Sequence, residues 1–180
     1  ISALGVATAG GSPVGASVVS SAPSFTASQF GVAVTGLTNA SGEFFYQTGD
    51  TVSFRLGDVE LGSVAASPVL TPVELVGAVS TADRRVINLS RFLQSLDDDA
   101  DPTNGLSVTK SARTALSGRS LNFNLPVSTF EITASVAVQA ASGRSLVDAS
   151  TAVNHLHGTL GERGLVTQVA EEEQIQQVVP

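Results

Sequence analysis

Cysteine, methionine and tryptophan are absent from the 180 residues, and lysine occurs once, at Lys110. Without cysteine there is no disulfide framework and no thiol chemistry. A chain that starts at Ile1 and holds no methionine reads as cut from a longer precursor, and a removed signal peptide is the simplest cause. One lysine and a net charge of −7 leave no cluster of cations to neutralise phosphates, so no nucleic-acid partner is expected. The same balance argues against docking on anionic lipid. No apolar run reaches the length of about 18 residues that a membrane-spanning helix needs, so no membrane insertion is expected. Aromatics are also few, eight Phe and Tyr46, which leaves Val, Leu, Ile and Ala to build the core.

A hydrophobic fraction of 42% suffices for one domain with a real core. Richness in Ser, Thr, Ala, Val and Gly with so little lysine points to a secreted or cell-surface protein. The expected fold class is α+β, an antiparallel β-sandwich-like half followed by a small helical half. Residues 1–29 read as an extended arm and residues 30–161 as one domain, with a β half over 30–66 and a mainly helical half over 67–161. Residues 162–180, with the acidic run Glu171-Glu172-Glu173, read as a tail.

In the β half, Phe30, Val32 and Val34 alternate, as do Val52, Phe54 and Leu56. Asn39-Ala40-Ser41-Gly42 and Gly49-Asp50 supply turns, Glu43-Phe44-Phe45-Tyr46 a short strand, and Gly57-Asp58 a two-residue hairpin leading to Val59 and Leu61. Thr71-Pro72-Val73-Glu74 is a capping box with Pro at the first helical position, so a short helix starts there. Further helices are expected over 82–96, 107–117, 129–140 and 149–160. Ser107 is the candidate cap of the second and Asp148 of the last, which Gly161 can end. The 129–140 segment carries two signals. Phe130, Ile132, Ala134, Val136 and Val138 alternate as in a strand, whereas Ser128-Thr129-Phe130-Glu131 reads as a capping box; helix is the preferred reading.

The chemistry concentrates between the 82–96 and 107–117 helices. Four of the sixteen carboxylates, Asp97, Asp98, Asp99 and Asp101, lie within five residues. Asp97, Asp99 and Asp101 have the alternate spacing of calcium loops, followed by Asn104 and Gly105, and this set is the expected ligand group for a structural calcium ion. The loop departs from the EF-hand pattern, with Pro102 where the invariant glycine belongs and Val108 where a bidentate glutamate belongs, so an affinity in the weaker, extracellular range follows. The same residues also read as a plain acidic connection that ends one helix and opens a turn at Asp101-Pro102.

His155 and His157 are the only histidines, and in a helix they point about 200° apart, which disfavours a shared metal. No Gly-x-Ser-x-Gly elbow and no phosphate loop followed by Lys occurs, and Glu43, Asp58 and Glu60 sit by turns, where exposed carboxylates are usual. No catalytic residues and no other cofactor are assigned, and an enzyme is not expected.

The stretches NASGEFFYQTGDTVSFRLGDVELGS, VLTPVELVG, RVINLSRFLQSLDDDADPTNGLSV and LVDASTAVNHLHGTL, across residues 30–160, together resemble a recurrent extracellular module of Gram-negative bacterial surface proteins and lipoproteins. Its β half is similar to carboxypeptidase-regulatory-like sandwich strands. The resemblance implies a place outside the cytoplasm and no settled activity. The resulting expectation is a non-catalytic structural or adhesive protein, a homo-oligomer or homopolymer. In its sharper form it is a pilus-like filament subunit joined by terminal-strand complementation at a sheet edge. The alternative is a monomeric, calcium-stabilised ligand-binding module of a larger surface protein.

Overall fold

The computed structural model describes residues 8–9, 24–29, 32–38, 42–47 and 49–165. Among the described residues six strands come first and the helices follow, an α+β chain. The strands are β1 (Thr8–Ala9), β2 (Ser24–Gln29), β3 (Val32–Leu37), β4 (Phe45–Tyr46), β5 (Thr51–Leu56) and β6 (Val59–Ala65). The helices are α1 (Pro72–Leu75), α2 (Arg84–Ser95), α3 (Lys110–Ala115), α4 (Val127–Ser142) and α5 (Ala149–Glu162), with a 3-10 turn at Pro102–Asn104.

Four strands form one antiparallel sheet in the order β3-β2-β5-β6, and β1 pairs with β4 in a separate, parallel two-stranded ribbon. Strand β2 falls within the stretch read as an arm, yet it is an inner strand, opposite β3 on one side and β5 on the other. Alternation puts Phe25, Ala27, Val52, Phe54, Leu56, Val59 and Leu61 on the buried face. Phe25 pairs directly with Phe54, and Phe44 meets the Phe54 ring edge-on at 5.1 Å. The opposite face is polar, with the Ser53 and Ser63 hydroxyls 2.9 Å apart and Arg55 beside Glu60. Phe30 and the 39–41 part of the expected turn lie outside the described residues, as does the acidic run at 171–173.

Two glycines set how helices meet the sheet. At Gly62, with φ of +152°, a Cβ would stand 2.6 Å from the Leu75 carbonyl oxygen, so α1 lies directly on β6. At Gly57, with φ of +57°, a Cβ would stand 2.5 Å from the Arg113 carbonyl oxygen, so α3 closes on the β5–β6 hairpin.

Helix α1 starts as its sequence dictates. The Thr71 hydroxyl accepts from Val73 N, and Glu74 reaches back to Thr71 N at 2.8 Å. Asp148 caps α5 by accepting from Thr151 N at 2.8 Å. Three boundaries differ from expectation. Thr109, not Ser107, caps α3, because the Ser107 backbone is tied to the acidic loop. Helix α4 begins at Val127 behind Pro126 with no side-chain cap, so Ser128 does not act as one. Helix α5 runs through Gly161 to Glu162, and the left-handed residue that follows it is Gly164.

Helix α2 is the centre of the helical half and packs against α1, α4 and α5. Its apolar side, Leu89, Phe92 and Leu93, joins the sheet core, while Val86 packs with Leu156 and Leu160 of α5. Its remaining buried positions are polar. Asn88 Nδ2 donates to the Phe123 and Leu125 carbonyls, Arg91 Nε to the Val147 carbonyl, and Gln94 Nε2 to the Ala152 carbonyl. Ser95 Oγ accepts from Val147 N. Asn88, Arg91 and Ser95 thereby engage backbone groups of the non-helical segments before and after α4, and Gln94 adds a bond to a carbonyl of α5.

Candidate metal centre

Helix α2 ends at Leu96, and the next residue carries the site. Asp97 is fully buried, while Asp98 and Asp99 are exposed. The loop is closed at its base by a reciprocal pair: Ser107 N donates to Asp97 Oδ1 at 2.8 Å, and Asp98 N donates to the Ser107 carbonyl at 2.8 Å. Arg144, from the segment after α4, donates both Nη groups to the Asp97 and Asp98 carbonyl oxygens.

One carboxylate oxygen each from Asp97, Asp98 and Asp99 lie within 4.8 Å of one another. Asp97 Oδ2 is buried and has no hydrogen-bond partner. Burial, then a hydrogen bond shared with the Asp99 carboxylate and the Asp99 and Asp98 charges, push the Asp97 carboxyl above its ordinary value, with the Ser107 N–H opposing. Asp99 moves the other way, because the Asn104 amide and the Asp101 N–H donate to it. Those two bonds, 2.7 Å from Asn104 Nδ2 and 2.9 Å from Asp101 N, fold the loop so tightly that Ala100 sits at φ of +62°.

The expected ligands Asp97, Asp99, Asp101 and Asn104 are therefore not brought together as one set. Asp97 and Asp99 are, joined by Asp98, which the alternate spacing passed over. Asp101 stands outside the carboxylate group and caps the 3-10 turn, accepting from Thr103 N at 3.1 Å. Asn104 donates its amide N–H to Asp99 Oδ2 at 2.7 Å, which places it beside the carboxylates. Pro102 opens the turn that replaces the glycine bend of an EF-hand, and Val108, at the position of the missing glutamate, is buried in the core. The role of Asp98 was visible only as part of an acidic run. Arg144, 47 positions from Asp97, had no local signal at all.

The histidines do not share a site. His157 Nε2 meets the Thr81 hydroxyl at 2.5 Å. His155 Nε2 is buried with no hydrogen-bond partner, and burial holds its pKa below the ordinary value. It lines a cleft of about 220 Å³ between α5 and Thr103. No helix among the described residues is long and apolar enough to cross a membrane. Compared with known protein families, curated proteins and solved structures, the chain matches none.

Proposed function

We propose that this chain is a non-catalytic extracellular module, structural or adhesive, whose α2–α3 loop is held by a divalent cation at Asp97, Asp98 and Asp99. The observation that carries this reading is the Asp97 carboxylate, fully buried with one oxygen on Ser107 N and the other without a donor. Burying an ion without compensation costs several kcal/mol, so such a group holds either a proton or a cation. Two further carboxylates within 4.8 Å favour the cation. The donors are all oxygens, the choice of hard cations, and their irregular placement suits calcium better than magnesium, which demands a near-octahedral shell. The Arg144 guanidinium close by opposes a second cation, which places the dissociation constant in the weak extracellular range of about 10⁻⁴–10⁻³ M.

The use of the buried polar side chains supports a scaffold: Asn88, Arg91, Gln94 and Ser95 of α2 each bond a backbone group of a neighbouring segment, although Asn88 Oδ1, Arg91 Nη1 and Gln94 Oε1 have no partner. The extracellular location rests on composition and on the resemblance to surface modules. A second reading, self-assembly by strand complementation, has the support of the sheet edges: among the described residues no strand pairs on the outer side of β3 or β6. The terminal segments that would complement those edges lie outside the described residues.

Isothermal titration with calcium and with magnesium tests the cation reading. One calcium per chain, abolished by Asp97→Asn and weakened more by Asp98→Asn than by Asp101→Asn, is the expected result. Heat from neither metal up to about 10 mM, well above the range of extracellular sites, sinks it.

A further inference from the structure

Helix α4 is apolar on two sides. Phe130, Ala134, Ala137 and Val138 face the core, yet Ile132 and Val136, one turn apart on the outer side, are 74% and 63% exposed. Glu131 is the only charged residue in its sixteen positions. A helix of this kind normally has something on both sides. Beside the outer face runs a groove of about 670 Å³, walled by Val136, Ala140 and Leu146, with Glu131 towards one end and Arg144 at the other. Glu131 is held 3.0 Å from the buried Arg91 and is still 58% exposed. Arg144 donates to the Asp97 and Asp98 carbonyls but has no carboxylate within salt-bridge distance among the described residues, so its charge is not neutralised there.

We propose that the outer face of α4 is a homodimer contact, with the α4 helices of two copies packed antiparallel about a two-fold axis. The arrangement is self-complementary. The knob, Ile132, lies in the first half of the helix, and the groove runs from Glu131 past the helix end to Leu146, so antiparallel packing places each knob over the far end of the other copy's groove. With the axis near residues 136–138, Glu131 of each copy comes within about one helical turn of the other copy's Arg144, in reach of both side chains. Two ion pairs of opposite orientation then flank an apolar centre. This contact is separate from the sheet edges, and it shares Arg144 with the Asp97–Asp98 loop.

Sedimentation equilibrium of the chain up to about 1 mM tests it. A monomer–dimer equilibrium is expected, with Val136→Asp weakening association at least about tenfold, Glu131→Gln weakening it a few-fold, and Ser117→Asp, on another surface, leaving it unchanged. Circular dichroism of the Val136→Asp chain, altered only at an exposed position, checks that it stays folded. A monomer throughout the range, or a dimer indifferent to Val136→Asp, overturns the proposal. The cysteine-free background adds a second readout: the thiol of a Val136→Cys chain reacts freely with maleimide when dilute and is protected when concentrated. Protection independent of concentration means that another segment of the same chain covers the groove, which also overturns the proposal.

Discussion

Helices α2 and α4 reverse the usual distribution of side chains. The more polar one, α2, has Asn88, Ser90, Arg91, Gln94 and Ser95 buried, and the more apolar one, α4, leaves Ile132 and Val136 to solvent. Position in the fold explains the difference. Helix α2 is wrapped by α1, α4 and α5, and the chain passes it at 123–125 and at 147 outside the helices, with carbonyls that need donors, while Gln94 bonds the Ala152 carbonyl of α5. Asn88, Arg91 and Gln94 donate to carbonyls there, whereas the Ser90 hydroxyl is buried without a partner. Helix α4 has α2 and α3 on one side only, so its second apolar stripe has no partner within the described residues. Burial here follows what each surface must satisfy, not the average polarity of the element.

The comparison breaks if the buried polar residues prove dispensable. Arg91→Ala is expected to cost the most, about 3–5 kcal/mol, because it deletes a buried ion's bonds to Val147 and Glu131 and leaves a cavity. Denaturant unfolding of this variant beside Ile132→Ser gives the contrast, since the exposed change should stay within about 0.5 kcal/mol. A larger loss from Ile132→Ser than from Arg91→Ala would reverse the account of both helices. Asn88→Ala comes next at about 1–3 kcal/mol, from the Phe123 and Leu125 carbonyls left without their donor.

How far these features were legible depends on how local they are. The Thr71–Glu74 box, the Asp148 cap and the Gly57-Asp58 hairpin act over two to four residues, and each stands where its residues indicate. Segment 127–142 carried two periodicities, and both were real. The helical one, Phe130, Ala134, Ala137 and Val138, is buried, whereas Ile132 and Val136, which completed the alternation, lie outside. The place of β2 inside the sheet and the Arg144 bonds to the Asp97 and Asp98 carbonyls are tertiary, and no local pattern encodes them. At the acidic loop the residue types were legible and the grouping was not. Alternate spacing selected Asp101 over Asp98, while the Asx bonds at Asp99 and Asp101 turn the backbone so that the first three carboxylates converge.

The acidic loop adds a third case, because Asp97, just past the Leu96 cap of α2, is a buried group that lacks a full set of partners. Its folded-state pKa is raised above the ordinary 3.8, so without a cation its contribution to stability is present in acid and is lost as pH rises through the folded value. Asp97→Asn removes that dependence. In chelator, the stability difference between wild type and Asp97→Asn should therefore move against the wild type from pH 4 to pH 7, with urea midpoints as the readout. Ala100→Gly should give the smallest effect, a gain of up to about 1 kcal/mol, by relieving the left-handed residue at φ of +62°.

Thermal unfolding of the wild type and of Asp97→Asn at pH 7, each with millimolar calcium and with chelator, tests the central claim most directly. At calcium about ten times a sub-millimolar dissociation constant, binding to the folded state alone adds about 1.4 kcal/mol, a rise in Tm of about 3–6 °C. The account predicts that rise in the wild type and none in Asp97→Asn. Equal Tm values in calcium and chelator for the wild type, or an equal rise in both proteins, would contradict it and leave residues 97–101 as an acidic connection between two helices.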